Sequence, residues 1–226
     1  MKKSSYMAQI LVALIPFGYL ITQWNALPER VPLHFSASGV ADSFGSKNDL
    51  LVPLVMIFIV SIGTSLLINN LSKVDPKRSY TEASSVPIKI SWTIIIFMSL
   101  IMCFIVYSVA NYGKGEIISS KVVVLCICLL FATMGNFMNN IKPNYFVGIR
   151  TPWNLEDQEN WRKTHYLGSK LWFFGGLILF VLILISPVTM TQYILFSGIF
   201  VLCVVPFVYS YRMFAAGKTS SPKDGE

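Results

Sequence analysis

A helix needs about 20 consecutive apolar residues to cross a bilayer, and this chain contains six stretches that qualify. They are Met7–Trp24, Leu50–Leu71, Ile88–Ala110, Ser119–Asn139, Leu171–Ser186 and Thr191–Tyr211. Within hydrocarbon every backbone N–H and C=O must be paired inside the protein, so only helices and closed barrels span. The runs are continuous rather than alternating, which excludes barrel strands. Composition agrees: hydrophobic residues make up 54% of the chain and charged residues 13%, against about a quarter charged in a soluble domain. Mean hydropathy is +0.60. The expected fold class is all-α, a polytopic membrane helix bundle with six transmembrane helices.

The gaps between these runs set the topology. Of the 18 Lys and Arg, 14 fall on one side: Lys2, Lys3, Lys73, Lys77, Arg78, Lys89, Lys142, Arg150, Arg162, Lys163, Lys170, Arg212, Lys218 and Lys223. Arg30, Lys47, Lys114 and Lys121 fall on the other. Positive charge is retained on the cytoplasmic face, so both termini are expected in the cytoplasm of a multi-pass cell-membrane protein. Lys2 and Lys3 precede an apolar run as they would in a signal peptide. That run is about long enough to span and no small-x-small cleavage site closes it, so it reads as the first span. Trp24, Trp92 and Trp172 at span ends, with Trp153 and Trp161 in the fourth gap, fit an interfacial aromatic belt.

Three regions follow. Residues 1–71 form a two-span unit with an extracytoplasmic loop, 25–49, rich in the turn formers Pro28, Pro32, Gly39 and Gly45. Residues 72–216 form a four-span region with a cytoplasmic loop, 140–170, and residues 217–226 form a polar tail.

Familiar catalytic and metal patterns are missing. Cys103, Cys126, Cys128 and Cys203 all lie in apolar stretches, and Cys126 and Cys128 would point to opposite sides of a helix. They offer neither a loop disulfide nor converging metal ligands. His34 and His165 fall on opposite sides of the membrane under this topology, so they cannot share a metal or an acid–base step. His34 can pair with Asp42, which is more often a structural contact. No ionisable group occupies the middle of a span, where ion- and proton-coupled transporters usually carry one. The expectation is a non-enzymatic protein without metal or cofactor.

The inner loop holds the unusual residues. Pro143, Gly148 and Pro152 break helix, so Lys142–Trp153 is expected as a fixed turn or re-entrant piece at the membrane surface. Arg150 offers a planar fork for phosphate or carboxylate, with a lipid-headgroup contact as the plainer reading. A short helix is expected after Trp153, capped by Asn154, with Glu156 and Asp157 in its first turn. Trp161, His165 and Trp172 then lie close to one face, most simply as aromatics laid against lipid. Two polar stripes, Ser61–Ser65–Asn69 and Thr133–Asn136–Asn140, descend toward this loop. They read as interhelical hydrogen-bonding groups or, less simply, as the lining of a polar cleft.

Both loops carry a resemblance. The segment Leu27–Phe35 with Pro28, Pro32 and His34, followed by Gly39, Asp42, Gly45, Ser46 and Lys47, looks like the short amino-terminal domain of unknown function that accompanies the SdpI family. The inner loop resembles the SdpI signature more closely, through Gly135, Asn136, Pro143, Asn144, Gly148, Arg150, Thr151, Pro152, Trp153, Trp161, Thr164, His165 and Gly168. The resemblance implies a membrane immunity and signalling protein. Its partners would be membrane lipids, a secreted toxic peptide and a cytoplasmic transcriptional repressor held at the membrane, with no direct nucleic-acid contact. Asn136, Asn144, Gly148, Arg150, Thr151, Pro152, Trp153, Trp161, Thr164 and His165 are the candidate binding residues inside, and Pro28, Pro32, His34, Gly39 and Asp42 those outside. The alternatives are a small transporter or exporter of peptide or lipid using the polar stripes, and a membrane enzyme acting on lipid headgroups through Arg150 and His165.

Overall fold

The computed structural model describes residues 3–35, 41–76, 85–112 and 121–220. Its six long helices coincide with the six apolar runs, and all are long and apolar enough to cross a membrane. They are α1 (Lys3–Gln23), α2 (Leu51–Asn69), α4 (Val86–Asn111), α5 (Lys121–Met138), α7 (Gln158–Ile185) and α8 (Val188–Ser220). Two short helices join them, α3 (Leu71–Val74) after α2 and α6 (Pro152–Glu156) before α7. Their outer faces are apolar: Ile21 is 75% exposed and Ile185 74%. Isolated exposed apolar groups are ordinary, but a surface of them along every long helix is one that lipid covers and water does not.

Two boundaries differ from the sequence expectation. The short helix expected after Trp153 and the fifth span are largely one rod, α7, which begins at Gln158. No proline lies between Gln158 and Leu171, and Asp157 caps the helix by accepting the amides of Glu159 (2.8 Å) and Asn160 (3.1 Å). Asn154 is therefore not the cap of this helix. The separate turn α6 is capped by Thr151, whose hydroxyl accepts the Asn154 amide at 3.3 Å. At the carboxyl end, α8 runs through Ser220, four residues into the segment expected as tail; 221–226 lie outside the described residues.

The loop between α1 and α2 is not bare coil. A single 3-10 turn, Trp24–Ala26, leads into an antiparallel ribbon of β1 (Arg30–Phe35) and β2 (Ala41–Ser46). Its Val31 is fully buried in a cluster with Leu20, Leu27, Leu50, Met102, Val106 and Val109, which seats the ribbon on the ends of α1, α2 and α4.

The helices group in threes. α4 packs on α1 and α2, while α5 packs on α7 and α7 on α8; the two sets meet mainly along α4 and α5. Small residues set the closeness of α5 and α7. A Cβ on Gly176 would stand 2.7 Å from both the Cys128 carbonyl and the Ala132 amide, and one on Gly135 would strike the backbone of Trp172 and Phe173. With no hydrophobic driving force between helices in lipid, this close backbone approach supplies the packing energy.

Polar groups inside the first set pair with one another. Gln9 accepts from Ser65 (2.7 Å) and Asn69 (3.3 Å) and donates to Ser91 (2.8 Å), which donates in turn to Asn69 (3.1 Å). Ser65 and Asn69 of the α2 stripe are thus interhelical adhesive, while Ser61 bonds the Phe58 carbonyl of its own helix at 2.9 Å. The second stripe does not join this network. Thr133 bonds only to carbonyls of its own helix, and Asn136 and Asn140 are exposed. No polar cleft forms between the two stripes, because they face different neighbours.

Candidate functional site

The residues that stood out in the inner loop converge on a hydrogen-bonded clasp where α5 ends and α7 begins. Asn144 starts it. Its side-chain oxygen accepts the amides of Phe146 (2.8 Å) and Val147 (2.6 Å), and its amide nitrogen donates to the carbonyls of Lys142 and Val147 (both 2.8 Å). An Asn folding its own following backbone in this way fixes a turn that helical hydrogen bonds cannot. The turn ends at Gly148, whose φ of +114° lies where a side chain is strained.

That conformation brings Gly148 against His165. The Ile149 amide donates to His165 Nε2 at 3.1 Å, while Nδ1 donates to the Trp161 carbonyl at 2.9 Å. The network therefore assigns the neutral ring with its proton on Nδ1. The imidazole also stacks on Trp161, with centroids 4.0 Å apart and planes 17° apart. Trp161 is itself buried and donates its indole N–H to the Ile141 carbonyl at 2.8 Å. One imidazole and one indole thus tie the loop to the first turns of α7.

Ser210 on α8 forms the other half of the clasp. Its hydroxyl accepts the Trp153 indole N–H (2.9 Å) and donates to Asn160 Oδ1 (2.8 Å). Asn160 also accepts from Thr164 (3.0 Å) and donates to the Ser210 carbonyl (3.0 Å). Thr151 lies 3.4 Å from the same hydroxyl, and Asn154 Nδ2 donates to the Ile149 carbonyl at 2.8 Å. Trp153 stacks on Phe214 and meets Phe207 and Tyr211 edge-on. Asn144, Asn154, Asn160, Thr164 and Ser210 are all fully buried. Leaving such groups unpaired in an apolar setting costs about 1–3 kcal/mol each, so the bonds among Trp153, Asn160, Thr164 and Ser210 make this half of the clasp one linked network, whereas Asn154 Oδ1 is buried without a partner.

Of the ten inner candidates, seven are brought together: Asn144, Gly148, Thr151, Trp153, Trp161, Thr164 and His165. Three stand apart. Arg150 is exposed and its guanidinium turns back to the Tyr145 carbonyl, Pro152 is exposed, and Asn136 is exposed on α5. Trp161 and Trp172 are not laid against lipid either, because α7 turns them inward; Trp172 packs on Phe131 and donates to the Leu202 carbonyl at 3.0 Å. Sequence reasoning missed Asn160 and Ser210. Asn160 sits five residues before His165 and one before Trp161, and Ser210 lies 13 residues beyond the preceding serine of the last span, Ser197, so neither belongs to a periodic polar pattern.

At the far end, His34 Nδ1 and Asp42 Oδ1 stand 2.6 Å apart across the ribbon, the pairing expected from sequence. Both are exposed, as is Pro28, while Pro32 is buried. Gly39 lies outside the described residues. The two ends are opposite: the clasp packs with Ile90 near the start of α4, the ribbon with Val106 and Val109 near its finish.

Comparison with known proteins falls on these same two places. Residues 140–210 match the SdpI/YfhL protein family. They contain the whole clasp, from Asn144 to Ser210. Residues 11–58 match a second model, a domain of unknown function (DUF1648), and contain the ribbon. Among curated proteins, the chain is 24% identical to the Immunity protein SdpI of Bacillus subtilis (strain 168) over 183 residues, 80% of this chain and 82% of that one. An uncharacterized protein of Archaeoglobus fulgidus is 40% identical over 62 residues, 27% of this chain and 33% of its own length. No solved structure matches. The SdpI resemblance read from the loop motifs is thus met by the family model, and the residues carrying it are mostly those that build the clasp.

Proposed function

We propose that this chain is a cell-membrane immunity protein. It protects against a secreted, membrane-active toxic peptide met at the ribbon face, and it relays the peptide's presence to a transcriptional repressor held at the clasp face. The observation that carries this reading is the likeness to the Immunity protein SdpI across 80% of the chain. The charge bias favours a cytoplasmic clasp, an outer ribbon and cytoplasmic termini. A non-enzymatic role accords with the state of His165, whose two ring nitrogens are both occupied by backbone groups. A general base needs a free nitrogen within hydrogen-bond reach of its substrate.

The test is survival. A peptide-sensitive host expressing the chain is challenged with the killing peptide and with an unrelated membrane-active peptide. Survival against the killing peptide is expected, and it should fall with His34→Ala while the protein still accumulates in the membrane. No survival advantage from the unaltered chain would sink the immunity reading. Survival without any regulator co-purifying with the membranes would remove the relay and leave protection standing.

A further inference from the structure

The clasp end of the bundle carries a second feature that the proposed immunity function does not use. Arg162, Lys163, Tyr166, Leu167 and Lys170 fall on one side of α7 and, with Tyr209 of α8, line an open groove of about 280 Å³. Three cations share this groove with a single pairing carboxylate. Glu159 binds Lys163 at 2.6 Å. Among the described residues no carboxylate pairs with Arg162 or Lys170. The Lys170 ammonium sits 4.2 Å from the centroid of the Tyr166 ring, a contact that holds it in place without neutralising it.

The depth of the groove is set by the sequence. Lys170 immediately precedes the apolar run beginning at Leu171, so its ammonium stands at the hydrocarbon boundary. Arg162 lies eight residues earlier, about 12 Å along the helix axis, and so reaches out through the headgroup layer. A hollow between two spanning helices, lined by cations and phenols at this level, faces phosphate and little else. The guanidinium of Arg162 suits a phosphate edge with paired donors, and Lys170 adds a point charge beneath it.

We infer that this groove is a binding site for the headgroup phosphate of an anionic phospholipid. Arg162 and Lys170 are its charge-bearing ligands, Tyr166 positions Lys170, and Tyr209 closes the α8 side.

The test uses the delipidated full-length protein in neutral detergent, titrated with phosphatidylglycerol or phosphatidylcholine and followed by native mass spectrometry and thermal unfolding. Phosphatidylglycerol should remain bound as a discrete adduct and raise the melting temperature, and phosphatidylcholine should do neither. Each cation near a lipid phosphate contributes a several-fold gain in affinity, so R162Q/K170Q should bind phosphatidylglycerol roughly thirty-fold more weakly. The exposed Lys73→Gln, at the same end of the bundle, should bind as the parent does. R162K/K170R keeps both charges and should retain the adduct, which separates lost charge from lost fold. Equal binding of the two lipids, or unchanged phosphatidylglycerol binding by R162Q/K170Q, would overturn the site. Displacement of the lipid by millimolar inorganic phosphate would assign the groove to a soluble anion instead and overturn the lipid assignment.

Discussion

Replacing Gly148 by alanine tests the clasp at its tightest point. The residue has a φ of +114°, where a side chain costs of order 1–3 kcal/mol in backbone strain. The added methyl would also point straight into His165 Nε2, closer than any carbon–nitrogen contact permits. His165 cannot simply swing away, since it is buried, stacked on Trp161 and bonded through Nδ1. If it moves, the Ile149 amide loses its acceptor, a further cost of about 1–3 kcal/mol. The sum is roughly 2–6 kcal/mol, a large share of a typical folding free energy. Unfolding in mixed micelles with rising dodecyl sulfate, followed by tryptophan fluorescence, measures it. Gly18→Ala and Gly63→Ala are the comparators: nothing lies within 4 Å of a methyl at either position, so both should be neutral or stabilising by up to about 1 kcal/mol. In the pair G148A/H165A the clash disappears while the strain stays, so the double substitution should cost less than its parts added together. A G148A protein within about 0.5 kcal/mol of the parent, or strict additivity in the pair, would refute the reasoning.

Other substitutions separate the remaining contacts. Ser210→Ala should lower the unfolding free energy by about 1–3 kcal/mol, because the Trp153 indole loses its acceptor and Asn160 a donor; the same micelle titration reads it. Gln9→Leu removes three interhelical bonds at about 0.6 kcal/mol each and should cost roughly 2 kcal/mol, whereas Thr133→Val, on an exposed self-bonded hydroxyl, should change almost nothing. Gly176→Val forces α5 and α7 apart and should cost about 1–3 kcal/mol or more, visible as an earlier loss of helical circular dichroism. His34→Ala breaks an exposed pair whose contribution is below about 1 kcal/mol, so its unfolding curve should overlay that of the parent.

The six spans were legible because each is long, continuous and nearly free of charge, and the helical bounds depart from the apolar runs mainly where helix persists into polar sequence. At Gln158–Lys170 the apolar count stops before the helix does, since the Asp157 cap rather than hydrophobicity sets its start. The ribbon was hidden by Pro32, which argues against a strand although Val31 and Leu33 alternate with Arg30, Pro32 and His34. Pairing across the ribbon overrides that preference, with register irregularities next to Pro32. The clasp was half legible. Pro, Gly and Trp mark a special loop in any sequence, but their partners Asn160 and Ser210 are single polar residues on two different helices, 50 positions apart. No local pattern announces such a pair. Likewise Gln9 is one polar group in an apolar helix, and only the packing shows that it closes the stripe begun by Ser65 and Asn69.

The placement of α4 has a mechanical corollary. Its Val106 and Val109 lie in the cluster beneath the ribbon, its Ile90 in the cluster beneath the clasp, and the stretch from Ile90 to Val109 is one uninterrupted helical run of about 28 Å. It contains no proline and no glycine. A helix of this kind is stiff along its axis, so a tilt imposed where the ribbon sits arrives at the other end as a displacement rather than being absorbed on the way. What travels between its two ends would then be the motion of one rod, not a sequence of side-chain adjustments.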